Sequence, residues 1–277
     1  MRIKNNTINN TIYQTFKSGS KTYFYSSIFF PAQVKKDVFS LYSFVRKADN
    51  FVDQLPQQAE QFYQFKDQYY KSLKGISSND IIIDSFVELT NRKNFDIAWV
   101  DSFFRSMEMD ITKSTYLNMD ESLEYIYGSA EVIGLMMSSI MDLETESYYN
   151  ARHLGRAMQY INFIRDIKED NDLNRTYLPL DNSLLKSLDE DYVLKNIEIF
   201  TKYIQKQINQ YLEWQTVAED GYKYIPHRYL IPIKTSADMY KWTAMRIYKK
   251  PLIVYKKKVK PSILRIIYAI IKNSIVI

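Results

Sequence analysis

No cysteine occurs among the 277 residues, which excludes disulfide scaffolds, thiolate metal sites and thiol nucleophiles and leaves the redox compartment open. Two histidines, His153 and His227, are too few for a histidine-rich zinc site and argue against a His-based triad. Six glycines and seven prolines disfavour a turn-rich β fold. No apolar run reaches the roughly 20 residues of a spanning helix, and the stretch from Met1 to Thr7 has no signal-like apolar core. Acidic residues are missing from one end. Between Met239 and Ile277 there are ten Lys or Arg and no Asp or Glu, although the whole chain carries only +5. The remaining body is therefore acidic, and a basic end on an acidic body points to an anionic surface partner.

What the chain does have is apolar bulk, 46% hydrophobic against 25% charged, enough for a sizeable core. Tyr, Ile and Phe lean toward strands by propensity, but the periodicity is helical. Val34, Val38, Leu41, Phe44, Val45, Ala48 and Val52 recur every three or four residues behind Pro31, predicting a helix over 31–54. Residues 122–141 are apolar on most faces, like a buried central helix. Further helices are expected over 148–170, 189–221 and 233–249, the last starting just after Pro232, and two weaker ones over 57–93 around a turn at Gly75. A break is expected over 173–179. The expectation is one all-α domain, residues 1–260, followed by a basic and apolar helix over 261–277.

Within this frame Asp-x-x-x-Asp occurs at Asp49/Asp53 and again at Asp166/Asp170, each inside a strongly periodic helix. Residues four apart share a face, so each pair sets like charges side by side, which repel unless solvated or bridged by a cation. Mg²⁺ is the natural bridge, taking carboxylates together with substrate phosphates, and Mn²⁺ would serve as well. The bland alternative is a solvated helix face, the reading given to a third pair, Asp80/Asp84, beside the Gly75 turn. Around the second pair, Gln159, Asn162, Asp166 and Asp170 form one polar stripe on an otherwise apolar helix. Gly155, a turn earlier, would leave room for a ligand. Arg165, Lys168 and Arg175 are nearby cations for phosphate oxygens.

These residues carry a family resemblance. Tyr42-Ser-Phe-Val-Arg46-Lys-Ala-Asp49-Asn-Phe-Val-Asp53 resembles the first aspartate-rich motif of squalene and phytoene synthases. Leu154 to Asp170, continued by Asn174-Arg175-Thr-Tyr177-Leu-Pro179, resembles the second and is the more specific. Tyr125 to Met137 resembles the helix between them, and Met107-Glu-Met-Asp110 and the segment from Met239 to Val259 are also similar. The resemblance implies an isoprenoid-synthase-type helical bundle around a central cavity. It implies head-to-head (1′–1) condensation of two prenyl diphosphates, foremost two geranylgeranyl diphosphates to phytoene through a cyclopropylcarbinyl diphosphate. A squalene or dehydrosqualene synthase using farnesyl diphosphate is the alternative, with NADPH needed only if squalene is formed. A catalytically silent scaffold is the alternative of another class.

By the same resemblance Asp49, Asp53, Asp166 and Asp170 would hold Mg²⁺, supported by Gln159 and with Asn162 as a further ligand. Arg46, Arg165 and Arg175 would contact phosphate or fix the carboxylates, and Tyr42 and Tyr177 would lie near the diphosphate. Tyr125 and Tyr127 are candidates for a ring-lined wall around a carbocation, or else plain core. Met136 and Met137 are cavity lining or core. Two departures stand out. Gly19-Ser20-Lys21-Thr22-Tyr23 replaces the family's usual His-Ser-x-Ser-Phe, so Ser20 and Thr22 could reach a diphosphate but Gly19 supplies no imidazole. Asn50 stands where a second consecutive Asp is common.

The basic end, Lys249, Lys250, Lys256, Lys257, Lys258 and Lys260 before the apolar stretch 263–271, suggests peripheral contact with an anionic bilayer on the cytoplasmic, inner face of a membrane. The alternative is a docked terminal helix with a solvated loop. No nucleic-acid module accompanies the charge, and a monomer or weak homodimer is expected.

Overall fold

A computed structural model describes residues 8–19, 24–25, 27–181 and 183–276. Among them there is no strand, only an isolated bridge between Thr115 and Thr176. The fold is all-α, as the periodicity predicts.

After α1 (Asn10–Gly19), Pro31 supplies an extended entry to α2 (Ala32–Asp53). Val34, Val38, Leu41, Phe44, Ala48 and Val52 of α2 are buried. Val45, on the same stripe, instead faces the cavity described below. α3 (Ala59–Leu73) and α4 (Ile81–Lys93) pack behind α2, with Phe44 stacked on Phe86 at 3.9 Å between centroids. The Asp80/Asp84 pair proves to be structural. Asp80 caps α4 by accepting the Ile82 N–H at 3.0 Å and pairs with Lys47, while Asp84 accepts from Ser78 at 2.7 Å.

α5 (Ile97–Thr112) lies against a long element that is not a simple helix. α6 (Met119–Ile126) passes through a π-helical turn (Tyr127–Glu131) into α7 (Val132–Ile140). Periodicity alone reads this span as one continuous helix. At the end of the turn, Glu131 is fully buried between Arg152 (2.8 Å) and Arg156 (2.7 Å). Both arginines belong to α8 (Tyr148–Arg165), which is followed by the short α9 (Ile167–Asp172).

The expected helix over 148–170 is thus interrupted at Asp166, which leaves helical geometry at φ −101°, ψ 12°. The turn survives the break, because the Asp170 N–H still reaches the Asp166 carbonyl at 2.8 Å. Likewise the helix expected over 189–221 divides at Asn196 into α10 (Glu190–Lys195) and α11 (Ile197–Glu219). Ile197, the first residue after the break, is exposed.

α11 makes the most extensive packing against α8. α12 (His227–Lys249) starts a turn and a half before Pro232, at Pro226. Pro232 is its sixth residue, past the first turn, and has no N–H to donate to the Arg228 carbonyl, so the helix forfeits one intrahelical bond there. After α13 (Ile253–Lys256), α14 (Ile263–Val276) docks on α12 through Ile266 and Ala269 against Met239. Asn273 also donates to Asp238 at 3.0 Å.

Candidate active site

The C-terminal turns of α2 bear Arg46, Asp49 and Asp53, and the junction of α8 with α9 bears Gln159, Asn162, Arg165, Asp166 and Asp170. Arg175 ties the two groups together. The left-handed Asn174 (φ 55°) ends the second stretch and lets the Arg175 N–H bond the Asp170 carbonyl at 2.8 Å. The Arg175 guanidinium then reaches across to Asp53 Oδ1 at 2.8 Å and the Val52 carbonyl at 2.5 Å. Both aspartate pairs therefore share one mouth, and the charge of Asp53 acts directly on Asp170.

Two of the four carboxyl groups titrate far from their ordinary range. Desolvation, then the neighbouring charge of Asp53, pushes Asp49 up to about 7. Desolvation, then the charges of Asp166 and Asp53, holds Asp170 well above the usual carboxylate value. The arginines divide the work of neutralisation. Arg46 pairs with Asp49 at 3.1 Å, and Arg165 grips both oxygens of Asp166 at 2.7 and 2.5 Å. Asp170 makes no ion pair among the described residues. Lys168 turns away, toward Asp172 and Glu190 at 4.0 and 3.9 Å, because it points off the stripe.

Behind Asp53 lies a residue to which the sequence reading gave no role. Asp110, on α5, is buried and accepts from Tyr125 at 2.7 Å and Tyr177 at 2.5 Å, with Arg175 3.9 Å away. Desolvation raises Asp110 to about 6, the Arg175 charge and the tyrosine hydrogen bonds pulling the other way. A signal existed: Val100, Phe103, Phe104, Met107 and Asp110 share one stripe, so a carboxylate ends an otherwise apolar face. Gln57 was also missed. Its amide donates to the carbonyls of Val52 and Asp110, both at 2.8 Å, joining α2 to α5.

The mouth opens on an apolar cavity of about 330 Å³, within the usual range of ligand pockets. Gln159, Asn162, Tyr42 and Tyr240 line it at the carboxylate end; Ser147, Asn150 and Met141 line it at the other. The central element does form a wall, but through Ser129, Ala130, Ile133, Gly134 and Met137.

Tyr125 and Tyr127 are not on that wall. Tyr125 is spent on Asp110, and the Tyr127 ring lies under the Arg152 guanidinium, 5.3 Å from its centroid. The rings facing the cavity are Phe16, Phe30, Tyr42, Tyr222 and Tyr240. Met136 is core and Met137 lining. Tyr177 stacks on Phe163 at 4.5 Å and sits beside Arg175, behind the carboxylates rather than in the cavity.

Gly155 borders the cavity, yet its lack of a side chain serves packing: a Cβ there would collide with the Ala130 carbonyl. At Gly19 a Cβ would meet the Tyr42 hydroxyl, so Tyr42 fills the space beside that backbone. Burial raises the Tyr42 phenol to about 12, so it faces the cavity as a neutral hydrogen-bonding group. Ser20 and Thr22 lie outside the described residues.

The donor set suits a hard divalent cation. Asn162 Oδ1 is buried without a partner, while its Nδ2 donates to Gln159 at 3.4 Å. An orphaned amide oxygen beside desolvated carboxylates is the all-oxygen ligation that Mg²⁺ prefers. Among the described residues no three acidic or histidine side chains form a ready-made cage. Such a site needs its ligand sphere completed by another anion, as with Mg²⁺ held by carboxylates and substrate phosphates.

Paired carboxylates on facing helices at the mouth of an apolar chamber define an isoprenoid-diphosphate enzyme, and the comparisons agree. Residues 16–265 match the model of the squalene/phytoene synthase family, to which this chain belongs. It is a prenyltransferase of that type, from a family that joins prenyl diphosphates head to head and generally depends on a divalent metal. Among curated relatives, 15-cis-phytoene synthase of Pantoea ananas is 24% identical over 88% of this chain and 84% of its own. Phytoene synthase 2 of Solanum lycopersicum is 29% identical over 80% and 75%. A dehydrosqualene synthase solved with a ligand superposes with a TM-score of 0.79 over 95% of each chain at 19% identity. A squalene synthase from Alicyclobacillus acidocaldarius gives 0.77 over 86% and 92% at 17%. At those identities the structures bear on the fold alone.

Proposed function

We propose that the enzyme condenses two geranylgeranyl diphosphates to phytoene by way of a cyclopropylcarbinyl diphosphate. The observation that carries this reading is two carboxylate pairs, each with one desolvated member, at the mouth of one deep apolar cavity. Its lining follows α8 from Asn162 back to Ser147, a span of about 22 Å at the helical rise. Sixteen main-chain carbons of a C20 tail extend over about 19 Å with C–C bonds near 1.5 Å, against about 14 Å for a C15 tail. The depth therefore accommodates the longer substrate.

Asp49, Asp53, Asp166, Asp170 and Asn162 would hold Mg²⁺, which when bound supplies Lewis-acid stabilisation of the departing diphosphate. Arg46 and Arg165 orient Asp49 and Asp166, and on this reading Arg165 would also meet phosphate oxygens. Arg175, nearly fully buried, orients Asp53. Gln159 fixes the Asn162 amide. Tyr42 and Tyr240 line the cavity at its mouth, where their rings would stabilise developing positive charge, and the apolar wall would keep water from the carbocation.

No helix among the described residues is long and apolar enough to cross a membrane. We read residues 261–277 as an appended element through which the protein lies on the inner, cytoplasmic face of an anionic membrane. Leu264, Tyr268, Ile271 and Ile275 are exposed along the outer side of α14. Arg246 and Arg265 lie over the Trp242 ring at its border. A ring with two guanidinium groups beside an apolar stripe suits the interfacial zone of a bilayer.

Incubation with Mg²⁺ and either the C15 or the C20 diphosphate, with and without NADPH, tests the reading. Phytoene from the C20 substrate is the expected product, and Asp166→Ala should abolish diphosphate release. Turnover of C15 alone would move the assignment to a squalene or dehydrosqualene synthase, and turnover of neither would favour a scaffold.

A further inference from the structure

Lys258 differs from the other cations at the mouth. Arg46 and Arg165 pair with carboxylates on their own stretch of helix, and Arg175 is sealed behind Asp53. Lys258 comes instead from the connection between α13 and α14, far along the chain, and folds back over α9. Its ammonium bonds Asp166 Oδ1 at 3.2 Å and also Glu169. It thus lies on a carboxylate assigned above to the metal, and its long flexible stem is anchored outside the helices. Val259 beside it is buried, so the backbone is held while the ammonium can swing.

A carboxylate oxygen cannot be fully shared by an ammonium and a divalent cation, since the two positive charges would be forced together. Asp166 Oδ1 accepts from Arg165 at 2.7 Å and meets Lys258 at 3.2 Å, so the longer contact, on the more flexible stem, is the one that yields when Mg²⁺ arrives, and the nearest new negative charge is the diphosphate that arrives with the metal. Lys260 lies at the same corner, where the charges of Lys258 and Arg165 act on it against those of Asp166 and Glu169.

We propose that Lys258 is an exchangeable counter-ion, resting on Asp166 and Glu169 in the ligand-free enzyme and transferring to the diphosphate once the metal takes Asp166. The proposal rests on the metal-and-diphosphate reading of the site. It makes a prediction that a simple structural tether does not: Lys258 opposes binding of the metal alone and assists binding of the anion.

The test is calorimetric titration of the full chain and its Lys258→Met and Lys258→Arg variants, first with MgCl₂ alone, then with pyrophosphate in saturating Mg²⁺. Lys258→Met keeps the apolar stem and removes the charge. It should bind Mg²⁺ alone about two- to fivefold more tightly, as expected for loss of one partly exposed ion pair. It should bind pyrophosphate about ten- to a hundredfold more weakly, the usual worth of a hydrogen bond to a charged group. Lys258→Arg should restore most of the pyrophosphate affinity. Shifts in the same direction, or an unchanged affinity in either titration, overturn the proposal. Failure of the unaltered protein to bind Mg²⁺ and pyrophosphate would instead overturn the reading of the site itself.

Discussion

Replacing Asp110 by asparagine should make the protein more stable and the site less able to hold metal. Asp110 is buried, with a carboxyl value near 6 against an ordinary 3.8. The sign follows from proton linkage. Between those two values the folded protein keeps the proton that the unfolded chain has released, so stability falls as pH rises. Above about pH 6 the folded state carries a desolvated charge, a cost of about 3 kcal/mol relative to strong acid at 1.36 kcal/mol per pK unit. An asparagine side chain at this position resembles the protonated acid in shape and neutrality and does not incur that cost.

Denaturant unfolding of Asp110→Asn at pH 8 should therefore give a stability gain approaching 3 kcal/mol, shrinking as pH is lowered through 6 toward 4. The same change removes the charge that faces Arg175, which holds Asp53. Mg²⁺·pyrophosphate should then stabilise the variant less than the parent. A variant less stable than the parent at pH 8, or a difference that does not vary with pH, would show that Asp110 serves folding rather than the site.

Three further outcomes are expected. Because Asp49 holds its proton up to about pH 7, metal must displace that proton below neutrality; the Mg²⁺-induced rise in melting temperature should be larger at pH 8 than at pH 6, and equal rises would refute the assignment. Gly128→Ala drives a Cβ into the Ser102 carbonyl and the Ser106 hydroxyl, so chemical unfolding should show a loss of about 2 kcal/mol, and a loss under about 0.5 kcal/mol would mean α5 gives way easily. The double change Leu264→Glu, Tyr268→Glu leaves the docked Ile266 and Ala269 untouched, so it should sharply reduce co-sedimentation with anionic liposomes without lowering the melting temperature; undiminished binding would remove α14 from the membrane reading.

The sequence by itself determined the helices and the acid pairs, because both are local. A stripe repeating every three or four residues and two carboxylates four apart need only the geometry of one helix, so α2, α8 and the two Asp-x-x-x-Asp pairs were legible. What only the tertiary structure decided is what each face meets. Tyr125 reads equally well as cavity wall or core until Asp110 is seen bonded to its hydroxyl. Gly155 reads as room for a ligand until the Ala130 carbonyl is found filling that room. The π turn and the break at Asp166 escaped for the same reason: they are set by packing against α5 and by Arg165, Arg175 and their partners, not by propensity. Lys258 looked like one more charge in a basic tail, and the long return of the chain over α9 placed it on Asp166. Periodicity tells which residues lie together on one helix, whereas contacts between residues far apart in the chain depend on how all the helices pack at once.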